Sequence, residues 1–321
     1  MERATLDTLL LLALPASGKS EVRKFLASHS DEECRSEFRM GPTVQLDDYP
    51  YVHLMRRIDD EAEKLSQPRP FFHAGDRPFK DGRDWLTLID LLNEDYASLH
   101  RPPYARPARA AEHLYGRIEA AASRHGIPPR ITALPADVRA RLFDTLECEC
   151  RQAIDDLVAG IPASLQGRTI VIEFARGGPD GSSMPLPDPL GYAASLRRLS
   201  PELLSRASIL YIWVTPEESR RKNFERTDPN DPGSILNHGV PIEVMMKDYG
   251  CDDMAWLIGQ SDVPGTVRVE AHGRVFHVPV ARFDNRVDRT TFVRGPRDGW
   301  KDEQVMALRD GLGSALKGLV S

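Results

Sequence analysis

The clearest chemistry in this sequence lies in one short run, Ala13-Leu14-Pro15-Ala16-Ser17-Gly18-Lys19-Ser20. A loop that cradles phosphates reads glycine, four residues, then Gly-Lys-Ser or Gly-Lys-Thr. Every position fits except the first, where alanine replaces glycine. Backbone N–H groups of such a loop, here from Ala16 and Ser17 onward, and of the helix it opens surround a β-phosphate. Gly18 lets the backbone approach the anion, Lys19 bridges the β- and γ-phosphates, and Ser20 is a ligand for Mg²⁺. Alanine at 13 is compatible with this provided the residue keeps the extended backbone of a strand end.

Further candidates lie far along the chain. Asp47 and Asp48 follow a second apolar segment, where one carboxylate can take a proton from an acceptor hydroxyl or hold Mg²⁺. Glu173 ends the apolar run Ile170-Val171-Ile172, a costly place for a carboxylate unless it meets a cation, either Mg²⁺ or Arg176. Arg176, before Gly177-Gly178, is the candidate contact for an acceptor. Arg220, Arg221 and Arg226 sit on a basic helix and have the forked geometry that neutralises a transferring phosphoryl group.

In this order the residues resemble the P-loop nucleoside and nucleotide kinases. The 13–20 run looks like their phosphate loop, and Asp47-Asp48 and Glu173 are similar to their acidic residues. The basic helix resembles their lid, and Asp284-Asn285 their adenine-contacting loop. The resemblance covers residues 9–48 and 169–285. It implies a three-layer α/β/α fold, ATP and Mg²⁺ as cofactors, and phosphoryl transfer to a small-molecule hydroxyl or phosphate. Asn285 would then touch the nucleotide, and Ser20, Asp47 and Glu173 the metal. A nucleotide-binding regulator or slow ATPase is the alternative.

The elements that must hold these groups can be read from periodicity. Residues 9–14 form a continuous apolar run, as in a strand covered on both faces. Val22, Phe25 and Leu26 then recur at helical spacing. Further strands are expected at 43–46, 169–174 and 208–214, with a hairpin at 266–269 and 274–280 turning on His272-Gly273. Thr215-Pro216-Glu217-Glu218 is a strong helix start, with Thr215 as cap and Glu218 completing a capping box. Residues 227–233 read as a loop, and 177–189, rich in Gly, Pro and Ser, as a moving one. Strands alternating with helices imply a mainly parallel, five-stranded sheet. Between 50 and 167 the spacing is helical, at Leu54/Ile58/Leu65, at Trp85 to Leu99, over 108–124 and over 136–159. The expected organisation is a core of 1–49 and 168–321 interrupted by a helical insertion of 50–167. Within that insertion, the polar runs 73–77 and 80–85 read as a charged surface loop, with the lining of an acceptor pocket as the alternative.

Composition narrows the classes. A net charge of −6, with no basic run interleaved with aromatics, argues against nucleic acid and anionic membrane as partners. Four cysteines without zinc spacing, two of them in Glu147-Cys148-Glu149-Cys150, are expected as free thiols in a cytoplasmic protein. The apolar 9–14 run is short for a secretory signal, and the residues before it are acidic. Oligomeric state has no sequence signal.

Overall fold

A computed structural model describes residues 5–101, 106–226 and 239–320, without the Arg226 side chain. The expected loop at 227–233 lies outside the described residues. In chain order the elements are β1 (Thr8–Leu12), α1 (Lys19–Ala27), α2 (Asp31–Phe38), β2 (Thr43–Asp47), α3 (Tyr49–Lys64), α4 (Asp84–Leu99), α5 (Ala110–Ser123), α6 (Ala136–Gly160) and β3 (Thr169–Phe174). There follow α7 (Gly191–Arg198), α8 (Pro201–Leu204), β4 (Ala207–Trp213), α9 (Pro216–Arg226), α10 (Ile242–Asp248), α11 (Met254–Gln260), β5 (Thr266–Ala271), β6 (Arg274–Asp284) and α12 (Asp302–Lys317).

The sheet has six strands in the order β2-β3-β1-β4-β6-β5, not the five expected. Neighbours from β2 through β6 run parallel, and β5 pairs antiparallel with β6. The extra strand follows from the hairpin turn. His272 and Gly273 adopt φ of 54° and 69°, the left-handed pair that turns a chain tightly back on its neighbour. That turn places β5 on the sheet edge, where it hydrogen-bonds β6 along its length.

Every residue of β1 and β3 is buried, because helices cover both faces, and this is why these strands read as unbroken apolar runs. Leu10, Leu12, Ile170 and Ile172 face α4, α7, α8 and α11. Leu9, Leu11 and Val171 face α1, α2 and α12. The result is an α/β architecture of three layers.

A third cluster joins α3, α4, α5 and α6. Val244, Met245 and Tyr249, from beyond β4, belong to the same cluster, as does Leu14 of the loop after β1. α4 buries Ile89, Leu92 and Tyr96 against the sheet and Trp85, Leu88 and Leu91 against the helices, so it belongs to both. Among the described residues no helix is long and apolar enough to cross a membrane, and all four cysteines are free thiols.

Candidate active site

The carboxyl ends of β1, β2 and β3 open into one cavity of about 170 Å³. Open parallel sheets present ligand sites at this edge, because the loops there diverge and helix N-termini point inward.

One end is built from backbone. Gly18 adopts φ 105°, ψ 12°, and caps α1 with no side-chain hydrogen bond, so the first-turn N–H groups of the helix carry no side-chain cap. Ala16 also lies in the left-handed region, at φ 55°. Ala13 does not, and it is fully buried. Ser17 Oγ donates to Leu14 O at 2.7 Å, and Lys19 Nζ donates to Ala13 O at 3.3 Å. Ser20 lines the cavity beside them. This cradle fits a polyphosphate: a left-handed glycine, a helix start without a side-chain cap, and a lysine and a hydroxyl at its mouth.

Asn285 is fully buried under that loop. Its Nδ2 donates to Ser17 O at 2.8 Å and to Thr290 Oγ1 at 2.9 Å. Its Oδ1 accepts from Arg289 N at 2.7 Å. The residue therefore braces the loop from behind and does not line the cavity.

Opposite the cradle stand the carboxylates. Asp47 and Glu173 are register partners on β2 and β3. Arg23 of α1 reaches both, at 2.9 Å from Glu173 and 3.8 Å from Asp47, and also donates to Gln45. Glu173 thus pairs with Arg23, while Arg176 pairs elsewhere. Burial, with Glu173 and Asp48 close by, pushes the Asp47 carboxyl up to about 7. Asp48 is buried, and its Oδ2 accepts from Arg176 Nη1 at 2.6 Å. Burial raises the Asp48 carboxyl, against the pull of the Arg176 and Lys19 cations.

Arg176 is 1 % exposed. It also donates to Trp85 O at 3.2 Å and lies 4.9 Å over the Trp85 ring. Its place is beneath the cavity, holding Asp48. Among the described residues no group of three or more His, Cys, Asp or Glu is disposed to hold a metal. Mg²⁺ seldom uses such a cage. It binds through one or two carboxylates with waters and substrate phosphates, a need that Ser20, Asp47 and Glu173 match in type.

The basic helix α9 starts as expected, with Glu218 N donating to Thr215 Oγ1 at 3.2 Å. The Glu218 carboxylate pairs with Arg221 rather than closing a capping box. Arg221 therefore lies along the helix exterior. Arg220 lies 3.7 Å from Asp180 and 3.4 Å from Glu217. Neither arginine lines the cavity. Two other residues tie α9 to the site. Ser219 Oγ donates to Pro15 O at 2.7 Å, and the buried Lys222 sits 2.8 Å from Asp288. The 177–189 loop is held in its first half, where Gly178 pairs with Cys251 and Asp180 N donates to Met246 O at 2.9 Å.

Apart from Trp85, the far end of the cavity is made by side chains that the sequence does not mark as site candidates. Phe72 and Phe79 stack at 4.3 Å, Phe79 meets Trp85 edge-on at 4.9 Å, and Trp85 meets Tyr249 at 5.6 Å. The buried Asp59 of α3 fixes Phe72 by accepting from the Phe71 and Phe72 N–H groups at 2.8 and 2.7 Å. Arg56 lies 4.0 Å over the Phe72 ring and donates to Gly75 O at 2.7 Å. Asp248 lines the same end, and its Oδ2 is buried with no partner among the described residues. Burial pushes its carboxyl up to about 7. Phe72 and Phe79 flank the polar run 73–77. Helical spacing marks Trp85 as a core residue, and nothing in the sequence links it to Arg56 or Asp248.

No protein-family model matches this chain, and no curated protein matches it.

Proposed function

We propose that this chain is an ATP-dependent phosphotransferase acting on the hydroxyl of a small molecule. The observation that carries the reading is a shared cavity. The Gly18–Ser20 cradle, the Asp47/Asp48/Glu173 carboxylates and an apolar chamber all line it. The order of the five parallel strands, with the cradle after the central strand β1, supports a P-loop kinase core.

In this reading the 16–20 backbone, Lys19 and Ser20 hold the triphosphate, and Asp47 and Glu173 stand on the metal side with Ser20. Bound Mg-ATP supplies the phosphoryl group and the charge that activates it. Asp48 takes the proton from the acceptor hydroxyl. Arg176 anchors Asp48 through Oδ2. Burial, which raises the carboxyl, makes it a stronger base. Positioning and charge neutralisation account for most of the rate in such transfers, so this small set suffices. Of Arg220 and Arg221 on α9, Arg220 is the more buried and the better suited to a lid role.

The test is calorimetric titration of Mg-ATP into the wild type, Lys19→Ala and Ser20→Ala. Binding by the wild type that weakens at least about tenfold in both variants is expected. Equal binding by all three, or none by the wild type, sinks the reading.

A further inference from the structure

The chemistry of the acceptor is readable from the end of the cavity that does not hold phosphate. We propose that this chamber takes an uncharged ring compound bearing a hydroxyl and an amide-type edge, and excludes phosphorylated and cationic acceptors. That its ligand is a phosphoryl acceptor rests on the phosphotransferase reading, but the chamber's selectivity stands on its own geometry.

Size comes first. The whole cavity, cradle included, measures about 170 Å³, so its far end has room for no more than a single ring. Its walls are the Phe72, Phe79, Trp85 and Tyr249 rings, which present apolar faces and edges to a flat ligand.

Charge comes second. A phosphate monoester would need free cations in the chamber. Arg176 is already consumed by Asp48 and sits below the wall. Arg56 is the chamber's own cation, and Asp248, Asp48 and Asp47 oppose it there. An organic cation would meet Arg56 itself, whose guanidinium already occupies the face of Phe72. Neither sign of net charge suits the space.

Polar matching comes third. Arg56 and Asp248 line the same end but form no ion pair with each other among the described residues, and Asp248 Oδ2 is buried without a partner. An ionised Asp248 left unmatched is costly, so above about pH 7 a ligand N–H that meets Oδ2 gains more than one hydrogen bond in water would give. Arg56 alongside is a pure donor and asks for a carbonyl. An amide edge offers both, an N–H for Asp248 and a C=O for Arg56, and a ring behind it lies against the aromatic wall.

The experiment is calorimetric titration of the full chain, without nucleotide, using four matched probes. They are para-hydroxymethylbenzamide, benzyl alcohol, para-aminomethylbenzyl alcohol and benzyl phosphate. The amide is expected to bind at least about tenfold tighter than each of the others. Arg56→Met and Asp248→Leu should each bring the amide down to the level of benzyl alcohol. Tighter binding of the amine or the phosphate overturns the proposal, as does no binding of any probe. A preference for the amide that survives both substitutions overturns it too. Because nucleotide is left out, the two readings fail separately. Amide selectivity without Mg-ATP binding sinks the phosphotransferase and keeps the chamber. Mg-ATP binding without amide selectivity does the reverse.

Discussion

The two ends of the cavity are built by opposite means. The phosphate end is backbone from one continuous segment, bent through left-handed residues at Ala16 and Gly18 and braced by Asn285. The far end is side chain, gathered from α3, the 71–79 segment, α4 and the α10 region. Backbone recognition constrains residue type at consecutive positions, since only small residues allow the bend and the close approach. Side-chain recognition constrains only what meets in space. One end can therefore be read as a motif and the other cannot.

The most direct way to break this contrast is Gly18→Ala. The added Cβ would lie 2.5 Å from Thr290 Oγ1 and 2.8 Å from Asn285 Nδ2, on a backbone at φ 105°. Mg-ATP affinity should fall by about 100-fold, while probe binding at the far end changes little. Calorimetry on both ligands decides. If both affinities collapse together, the two ends are not independently built.

Asp48→Asn addresses the junction between them. With an acceptor identified, kcat should fall by about 10²–10⁴-fold with KM nearly unchanged, as for loss of a general base. A matching rise in KM with intact kcat would make Asp48 a binding residue instead.

The far end should also carry a pH signature. Asp248 keeps its proton up to about 7 when folded, against an ordinary value of 3.8. Between those values the unfolded chain binds fewer protons than the native one, so stability falls as pH rises through that window. Asp248→Asn removes the fall. Its gain over wild type should be near zero at pH 4 and about 1–3 kcal/mol at pH 8 for this half-buried group. Urea unfolding at four pH values checks it, and a gain that grows towards acid would contradict the assignment.

The smallest effect is expected at Ala16→Gly. Relief of a left-handed alanine at φ 55° should raise stability by about 0.5–1 kcal/mol without harming Mg-ATP binding. A lowered Tm would mean that the alanine methyl packs more than it strains.

What was legible follows the same division. Strands β1, β3 and β4 announced themselves because burial on both faces demands unbroken apolar runs. The helices from α3 to α6 followed from their spacing. The edge position of β5 was not counted, since periodicity shows a hairpin but not which sheet it joins. Asp47, Asp48 and Glu173 line one cavity because strand ends in an α/β sheet share one edge. Arg23 was missed, although it is four residues from Lys19, because its partners lie on β2 and β3. The guanidinium of Arg176 was expected at a ligand and instead secures a carboxylate. Residue type alone does not separate these roles. The charged neighbours in 73–77 and 80–85 hid Phe72 and Phe79, which lie beside them.

Gly18, Asn285 and Thr290 meet under the loop with no spare room. Any lineage that enlarges one of them must shrink or move another. In distant relatives the three positions should therefore drift as one unit, despite more than 260 intervening residues between Gly18 and Asn285. Wherever position 18 gives up glycine, the amide and the hydroxyl beneath it should be lost as well.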